Sequence, residues 1–162
     1  MSARKAMLLA KRSNEFLSES IIKIESHPCF AHIDNATTEK WKFEERHYHI
    51  TGGKRDNSFK ECYHLAKQLV SNVIHKPDEI KSRQIYAMSY YYDRAVDAKL
   101  IKDEEKMGVV KVGDYFKTAE KVCNSATRSH EQSAFLCLDL TYISALLHDG
   151  LRLDWQREIT VC

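Results

Sequence analysis

Apolar residues recur at helical spacing along much of the chain. Residues 2–14 have a helix-forming composition, which predicts an amphipathic helix. Asn57 or Ser58 can cap a second helix, which we expect to end near Pro77. The apolar positions of this second helix fall three and four residues apart: Phe59, Cys62, Ala66, Leu69, Val70 and Val73.

Two further helices are predicted in the second half of the chain. Asp114 can cap a short helix that carries Phe116, Ala119 and Val122 on one side. The segment CLDLTYISALLHDG, residues 137–150, is apolar on nearly every face and ends at a glycine, a usual C-cap residue. A helix of this kind is normally buried, so we expect it in the core.

Two stretches have the pattern of strands. Residues 41–53, WKFEERHYHITGG, alternate apolar and polar positions before a double glycine, which predicts a half-exposed strand. Residues 84–93, QIYAMSYYYD, are rich in β-branched and aromatic residues, which favours a second strand. On that strand Tyr90 and Tyr92 share one face and Tyr91 lies on the other. Helices and strands interleave without an internal repeat, so we predict one compact α/β domain.

Composition excludes several functional classes. The 162 residues carry a net charge of +2 with acidic and basic residues interspersed, which is not the charge distribution of a nucleic-acid binder. No apolar run approaches the roughly 20 residues of a membrane-spanning helix. The N-terminal run AMLLA is shorter than the core of a signal peptide. Only five glycines occur, and they do not cluster as in a phosphate-binding loop.

Five cysteines leave two interpretations open. Cys29, Cys62, Cys123 and Cys137 are either buried free thiols or two local disulfides, Cys29 with Cys62 and Cys123 with Cys137. In the second case Cys162 is left over. No pair has the C-x-x-C spacing of zinc or redox sites, so we expect no metal. The glycosylation sequence beginning at Asn35 lies in the polar loop 26–38, and with the paired cysteines it favours an oxidising, secretory compartment.

Histidines and serines show no catalytic pattern. The eight histidines include no H-E-x-x-H pair, and the serines lack the G-x-S-x-G elbow. His47 and His49 would share one face of a strand, which suits a metal, but without a third ligand nearby we interpret them as solvated.

Three charged residues and one isolated carboxylate remain as candidates for binding. Asp93 and Asp97 flank Arg94, an arrangement that we interpret as a structural ion pair. Asp139 stands alone in an apolar helix, so its carboxylate must either accept hydrogen bonds from backbone N–H groups or face a polar cleft. One face of the tyrosine run can pack while the other stacks on an aromatic ligand.

Several long strings resemble a known family. IYAMSYYYDRAVD and, about forty residues later, FLCLDLTYISALLHDG resemble the C-terminal part of the GDA1/CD39 nucleoside phosphatases, and most closely the soluble type that prefers UDP and GDP. KVGDYFKTAEKVC, SHPCF and FKECYHLAK match further segments of that family. The resemblance implies the same two disulfides and a location in the endoplasmic reticulum lumen, the Golgi or outside the cell, given an upstream signal peptide.

The family's fold and chemistry set further expectations. Its members are similar to actin and hexokinase, with two ribonuclease-H-like lobes around a nucleotide, so we expect a partial lobe with a mixed sheet flanked by helices. Their catalysis uses two loops, D-x-G-S-x-x-T and D-x-G-G-x-S-T, with Ca²⁺ or Mg²⁺ and a glutamate that activates water. The sequence contains neither loop. We therefore expect the full-length enzyme to bind the cation, and this chain alone to bind none and to be inactive.

The resemblance also divides the chain. Residues 1–150 correspond to a C-terminal lobe that begins downstream of the loops, and residues 151–162 are interpreted as a divergent tail of a truncated piece. By similarity Ser89, Tyr92 and Asp93 border the nucleoside, and the loop 132–136 approaches from the other side, with Leu136 where some members stack an aromatic residue on the base. Two alternatives remain: a non-catalytic product that binds a partner subunit or binds nucleosides weakly, and an unstable fragment with an exposed apolar surface and sheet edge.

Overall fold

The structure is a computed structural model that describes residues 3–10, 14–16, 20–33, 37–54, 56–73, 78–125 and 133–162. The helices are α1 (Ala3–Ala10), α2 (Ser58–Val73), α3 (Tyr90–Asp97), α4 (Val112–Cys123) and α5 (Leu136–Ala145). The strands are β1 (Asn14–Phe16), β2 (Ile21–His27), β3 (Thr38–Phe43), β4 (Arg46–Gly52), β5 (Tyr86–Ala87), β6 (Gly108–Lys111) and β7 (Glu158–Val161). Short 3-10 segments lie at Pro28–Phe30 and Asp78–Ser82, and α5 continues into a π turn at Leu146–Gly150.

The strands form two small mixed sheets. The first has the order β1-β2-β4-β3, in which β2 and β4 are parallel and the outer pairs are antiparallel. The second has the order β5-β7-β6, with β5 parallel and β6 antiparallel to β7. Helices flank both sheets. The predicted α/β class is confirmed, and the architecture is compatible with a partial lobe of the actin and hexokinase type.

Helix α5 lies in the core, as its sequence predicts. Leu138, Leu140 and Ile143 are fully buried. The helix contacts α1, α2, α3 and α4, so its apolar residues on every face find partners. Asp139 is also fully buried within this helix and therefore needs a polar partner.

Two disulfides tie the helices to their surroundings. Cys29 is joined to Cys62 with an S–S distance of 2.03 Å, and Cys123 to Cys137 with 2.07 Å, which are the two predicted pairs. The first disulfide connects the 3-10 segment before β3 to α2, and the second connects the end of α4 to the start of α5. The Sγ atoms of Cys62, Cys123 and Cys137 lie within 4.8 Å of one another, so the two disulfides are neighbours.

The predicted helix starts are correct to within a few residues, but the role of Asp114 differs. Helix α2 begins at Ser58, so Asn57 precedes it in the N-cap position and its carbonyl accepts from the Glu61 N–H at 3.0 Å. The Ser58 hydroxyl donates to the Cys123 carbonyl at 3.1 Å. Asp114 is the third residue of α4, and its carboxylate accepts from the Lys111 backbone N–H at 3.0 Å. It stabilises the helix from inside the first turn. The predicted end of α2 at Pro77 lies outside the described residues.

The single strand predicted over residues 41–53 is wrong. The chain forms a hairpin in which β3 pairs antiparallel with β4 and Trp41 lies opposite Tyr48. The two residues between the strands include Glu44 with a φ of 55°. Asparagine or glycine usually occupies the turn of a hairpin. Here the two turn residues are glutamates, so the sequence did not predict the turn.

The strand predicted over residues 84–93 is also wrong beyond its first half. Only Tyr86 and Ala87 form β5, and the chain turns at Ser89, with a φ of 54°, into helix α3. Tyr90 and Arg94 therefore share a helical face, and Tyr90 and Tyr92 do not form a strand face. Contacts of α3 with α5 outweigh the β propensity of the tyrosines, because helix formation buries Ala95 and half-buries the three tyrosines against the rest of the fold.

Residues 151–162, interpreted above as a divergent tail, are folded onto the rest of the molecule. They include β7, the central strand of the second sheet, whose Ile159 and Val161 are buried. The correspondence of residues 1–150 to a family lobe stays a prediction. Among the described residues, none of the helices has both the length and the apolar composition needed to cross a bilayer.

Candidate functional site

A cavity of about 430 Å³ opens between α1, β3 and α3. Its lining residues are Ala3 and Arg4 from α1, Trp41 and Phe43 from β3, and Tyr90 and Arg94 from α3. Three aromatic rings and two guanidinium groups therefore surround one space. Aromatic walls with a few fixed polar groups are typical of small-molecule sites.

Asp139 holds the two arginines in place from beneath the cavity. Its Oδ1 accepts from Arg4 Nε at 2.9 Å, and its Oδ2 accepts from a terminal nitrogen of Arg4 at 2.6 Å. Arg94 donates to the same Oδ2 at 2.9 Å. A fully buried carboxylate with two cationic donors meets the requirement that the sequence set for Asp139, although the partners are arginines and not backbone N–H groups.

The aromatic rings beside Arg4 come from segments that are far apart in the sequence, strand β3 and the start of α5. The rings of Trp41 and Phe43 stack with centroids 5.2 Å apart, and Trp41 also contacts Phe135 at 5.5 Å. The guanidinium of Arg4 lies 4.5 Å from the centroid of the Phe135 ring. The cation–π contact with Phe135 restricts the Arg4 side chain. Less side-chain conformational entropy is then lost when Arg4 binds a ligand.

Charge and burial shape the ionisation of the site. Burial alone would lower the pKa of Arg4, but its hydrogen bonds to Asp139 and the charge of that carboxylate outweigh burial, and the pKa is raised. Burial and then the nearby charge of Asp139 raise the pKa of Tyr90 far above its usual range, although the two arginines oppose this. Arg4 is thus a permanent cation and Tyr90 a neutral ring at all ordinary pH values.

The ion pair predicted around Arg94 is present on a helix and not at a strand end. Arg94 lies 2.8 Å from the carboxylate of Asp97, one turn further along α3. Asp97 is 41% exposed, while Arg94 is mostly buried. The exposed pair is screened by water, so Asp139 is the partner that fixes Arg94.

The predicted nucleoside-binding residues lie at the start of α3 but do not line the cavity. Ser89 and Asp93 are exposed, and the Asp93 backbone N–H donates to the Ser89 carbonyl at 2.9 Å. Tyr92 is half-buried, and its hydroxyl donates to the Glu105 carbonyl at 2.6 Å. The residues next to them, Tyr90 and Arg94, are the ones that face the cavity.

The other predicted positions have mixed outcomes. Leu136 is fully buried, and its neighbour Phe135, which is only 5% exposed, packs against Trp41. Asn35 and Gln132 lie outside the described residues.

The described residues include no cluster of three carboxylate or histidine ligand atoms. Within the described ranges, the one group with metal-ligand spacing is Cys62, Cys123 and Cys137, whose sulfurs are all in disulfides. Hard cations prefer oxygen ligands, so this group does not suit them. His47 and His49 share a face of β4, where His47 is exposed, and they belong to no such group.

Two other cavities have similar volumes but a different character. One of about 500 Å³ lies beside Phe116 and Trp155, with exposed Lys117 and Glu120 at its border. One of about 440 Å³ lies beside Pro28 and His64. Neither is lined by a buried ion pair, so the cavity above Asp139 is the better candidate for a specific ligand.

Sequence reasoning missed Arg4, Trp41 and Phe43 as members of the site. The one available signal was Asp139, since a carboxylate in an apolar helix requires a cation or several donors. The sequence does not show which cation pairs with Asp139, because Arg4 is 135 residues away along the chain.

No model of a known protein family matches the chain. Ectonucleoside triphosphate diphosphohydrolase 5 of Gallus gallus is 45% identical over 112 residues, which are 68% of this chain and 26% of the relative. Nucleoside diphosphate phosphatase ENTPD5 of Homo sapiens is 41% identical over 112 residues, with the same coverage. Ectonucleoside triphosphate diphosphohydrolase 6 of Rattus norvegicus is 39% identical over 110 residues, which are 68% of this chain and 24% of the relative. The chain thus matches about a quarter of the length of these relatives.

Proposed function

Because this chain belongs to the GDA1/CD39 family of nucleoside phosphatases, we propose that it supplies the nucleoside-holding part of an enzyme that hydrolyses the terminal phosphate of UDP or GDP. The observation that carries this proposal is the aromatic and arginine-lined cavity above Asp139. A nucleoside presents a flat base with carbonyl oxygens, and these are the groups that rings and guanidinium donors bind.

In this proposal the base lies against the aromatic rings of the cavity. Tyr90 offers a ring that stays neutral, and Trp41 offers the larger of the two rings on β3. Arg4 and Arg94 are fixed by Asp139, so their remaining N–H groups can donate to base or phosphate oxygens at little entropic cost.

Ser89, Tyr92 and Asp93 complete the proposed nucleoside site from the first turn of α3. Ser89 and Asp93 are exposed beside Tyr90 and Arg94, which supports contacts to the ribose hydroxyls. The Tyr92 hydroxyl is already bonded to Glu105, so this residue would act through its ring.

Hydrolysis requires more than this cavity. Phosphoryl transfer depends on positioned donors and a metal around the transferred oxygens. The sequence has neither phosphate-binding loop of the family, so we propose that the 162-residue chain binds nucleosides but does not release phosphate, and that Ca²⁺ or Mg²⁺ acts in the full-length enzyme. The two disulfides support a secretory compartment for that enzyme.

The binding step can be tested through Trp41, one of only two tryptophans. We expect uridine, guanosine, UDP and GDP to quench tryptophan fluorescence in a saturable way, with no such change for inorganic phosphate alone. Tyr90→Leu should weaken nucleoside binding by about tenfold, the worth of one base–aromatic stack. Phe116→Leu makes the same kind of change in the cavity beside Trp155 and should leave affinity unchanged.

Two outcomes would reject the proposal. One is the absence of saturable quenching at millimolar nucleoside, and the other is equal affinity in the Tyr90→Leu and wild-type chains. Phosphate release from UDP or GDP is measured separately with Ca²⁺ present. Turnover above that of a heat-denatured sample would show that the claim of inactivity is wrong.

A further inference from the structure

The outward face of the first sheet carries rows of basic side chains. Lys40 on β3, His49 on β4 and Lys23 on β2 lie in register and form one row across three neighbouring strands. Lys42 lies opposite His47 in the next row. The alternate positions of the same strands include the buried residues Ile22, Ile24, Tyr48 and Ile50. One face of the sheet therefore packs on the core and the other faces water.

We call the surface formed by Lys23, Lys40, Lys42, His47 and His49 the basic face. Lys40, Lys42 and His47 are exposed, and Lys23 and His49 are half-buried. All five side chains can therefore reach a ligand on the outside of the sheet.

The acidic residues near the basic face are few and lie towards one side of it. Lys23 Nζ is 2.5 Å from the Glu25 carboxylate, and Glu15 on β1 is in register with Lys23. Within the described ranges, neither lysine of β3 is paired with a carboxylate. Glu44, at the hairpin turn, is bound to Lys5 at 3.0 Å. Positive charge is therefore concentrated on the β3 and β4 side of the sheet.

Protection of a sheet edge explains only part of this pattern. Strand β3 is at the edge of the sheet, and lysines on an edge strand discourage pairing with another molecule. Strands β2 and β4 are interior strands, so Lys23, His47 and His49 do not serve that purpose. A positive surface that continues from an edge strand onto two interior strands instead fits a ligand with several negative charges.

We propose that the basic face binds an acidic, sulfated polysaccharide. Side chains two residues apart on a strand are about 7 Å apart, and neighbouring strands are about 4.8 Å apart, so the basic groups form a flat grid. A linear polymer with repeated sulfate groups can contact several of them at once. Each lysine offers three N–H donors and each histidine ring at least one, and bonds from charged donors to anions are the stronger ones.

Other polyanions fit the basic face less well. Its five residues include no phenylalanine, tyrosine or tryptophan on which the bases of a single-stranded nucleic acid could stack. They also include no exposed apolar side chain that would add to the attraction of an anionic membrane. The two disulfides favour an oxidising compartment, and the abundant polyanions outside the cell are sulfated polysaccharides.

The basic face is separate from the cavity above Asp139. Trp41 and Phe43 alternate with Lys40 and Lys42 along β3, so the rings that line the cavity lie on the opposite face of the strand. A polysaccharide on the basic face therefore leaves the cavity open, and the two binding events can be measured independently.

Heparin oligosaccharides provide the test, with calorimetry or a sensor surface as the measurement. We expect saturable binding at about 50 mM salt that weakens steeply as salt rises, because bound counterions are released. Lys40→Gln combined with Lys42→Gln should weaken binding at least about tenfold and lower the slope of log affinity against log salt by about 1 to 2. Lys117→Gln combined with Lys121→Gln removes the same charge from exposed positions on α4 and should leave affinity unchanged.

Three comparison ligands distinguish sulfate recognition from general attraction to anions. Chemically desulfated heparin, a single-stranded oligonucleotide and vesicles containing phosphatidylserine should each bind at least about tenfold more weakly than heparin. Circular dichroism and unchanged nucleoside quenching of Trp41 fluorescence check that the β3 variant is folded. Absence of heparin binding at about 50 mM salt, equal losses in the β3 and α4 variants, or equally tight binding of any comparison ligand would overturn the proposal.

Discussion

At the scale of single residues, the buried carboxylate of Asp139 organises the candidate site. It is fully buried, and its two oxygens accept three hydrogen bonds from Arg4 and Arg94. Both arginines come from other helices, so one side chain connects α5 to α1 and α3. A buried charge is tolerated only with such partners, and removal of the carboxylate takes away the ion pair of Arg4 and leaves Arg94 with the exposed Asp97.

We expect Asp139→Asn to lower the free energy of unfolding by about 3 kcal/mol, because the amide keeps the size of the side chain but loses its charge. Urea denaturation followed by circular dichroism measures the change. Asp97→Asn removes the exposed partner of Arg94 and should cost less than about 1 kcal/mol. Equal losses in the free energy of unfolding for the two substitutions would contradict the prediction that the buried ion pair contributes more to stability than the exposed one.

The neighbouring disulfides make a second prediction at this scale. In Cys29→Ala the freed thiol of Cys62 lies within 4.8 Å of both sulfurs of the other disulfide, so we expect exchange to yield Cys62–Cys123 or Cys62–Cys137 species. In Cys62→Ala the freed thiol belongs to Cys29, which is outside that group of sulfurs. Peptide mapping after alkylation should find non-native pairs in the first variant in large excess over the second, and equal amounts would refute the prediction.

At the scale of elements, α3 shows how tertiary contacts decide between two local conformations. Three consecutive tyrosines favour a strand, yet the chain leaves β5 after two residues and turns at Ser89. The Tyr91 carbonyl accepts from the hydroxyl of buried Tyr115 on α4 at 2.8 Å, and Arg94 pairs with Asp139 on α5. These contacts exist only if the segment is a helix.

The turn before α3 is strained, and this strain can be measured. Ser89 has φ 54° and ψ −102°, a conformation that costs a residue with a side chain of order 1 to 3 kcal/mol. We expect Ser89→Gly to stabilise the protein by about 1 kcal/mol in urea denaturation. Lys117→Gly, at an exposed position inside α4, should instead destabilise it by about 1 kcal/mol. Destabilisation in both variants would contradict the assigned backbone of Ser89.

At the scale of the whole molecule, several tyrosines are buried as neutral groups. Burial is the main cause that raises the pKa of Tyr63, Tyr90, Tyr91, Tyr115 and Tyr142. In the unfolded chain a tyrosine loses its proton near pH 10, so the unfolded state gives up protons before the folded state does. Their contribution to stability is complete below about pH 10 and is lost as the pH rises further.

We therefore expect the urea midpoint to fall progressively between about pH 10 and pH 12, with little change from these groups between pH 7 and pH 9. Tyr63→Phe should reduce the steepness of that fall, because it removes one of the buried hydroxyls, which donates to Asp149 at 2.6 Å. Tyr86→Phe changes a residue that is 59% exposed and should leave the slope unchanged. A slope that Tyr63→Phe does not alter would contradict the prediction.

The sequence by itself determined the α/β class, the start of α2, the buried helix α5 and the family, since periodicity, composition and motifs are local properties of the chain. The two cysteine pairs followed from the family resemblance. The tertiary structure alone decided that β3 and β4 form a hairpin, that the YYY segment is helical and that Arg4, Trp41 and Phe43 join Tyr90 in one cavity. These features depend on contacts between distant segments, and Arg4 and Asp139 are 135 residues apart. The energy of such contacts exceeds the small local preferences on which sequence patterns rest.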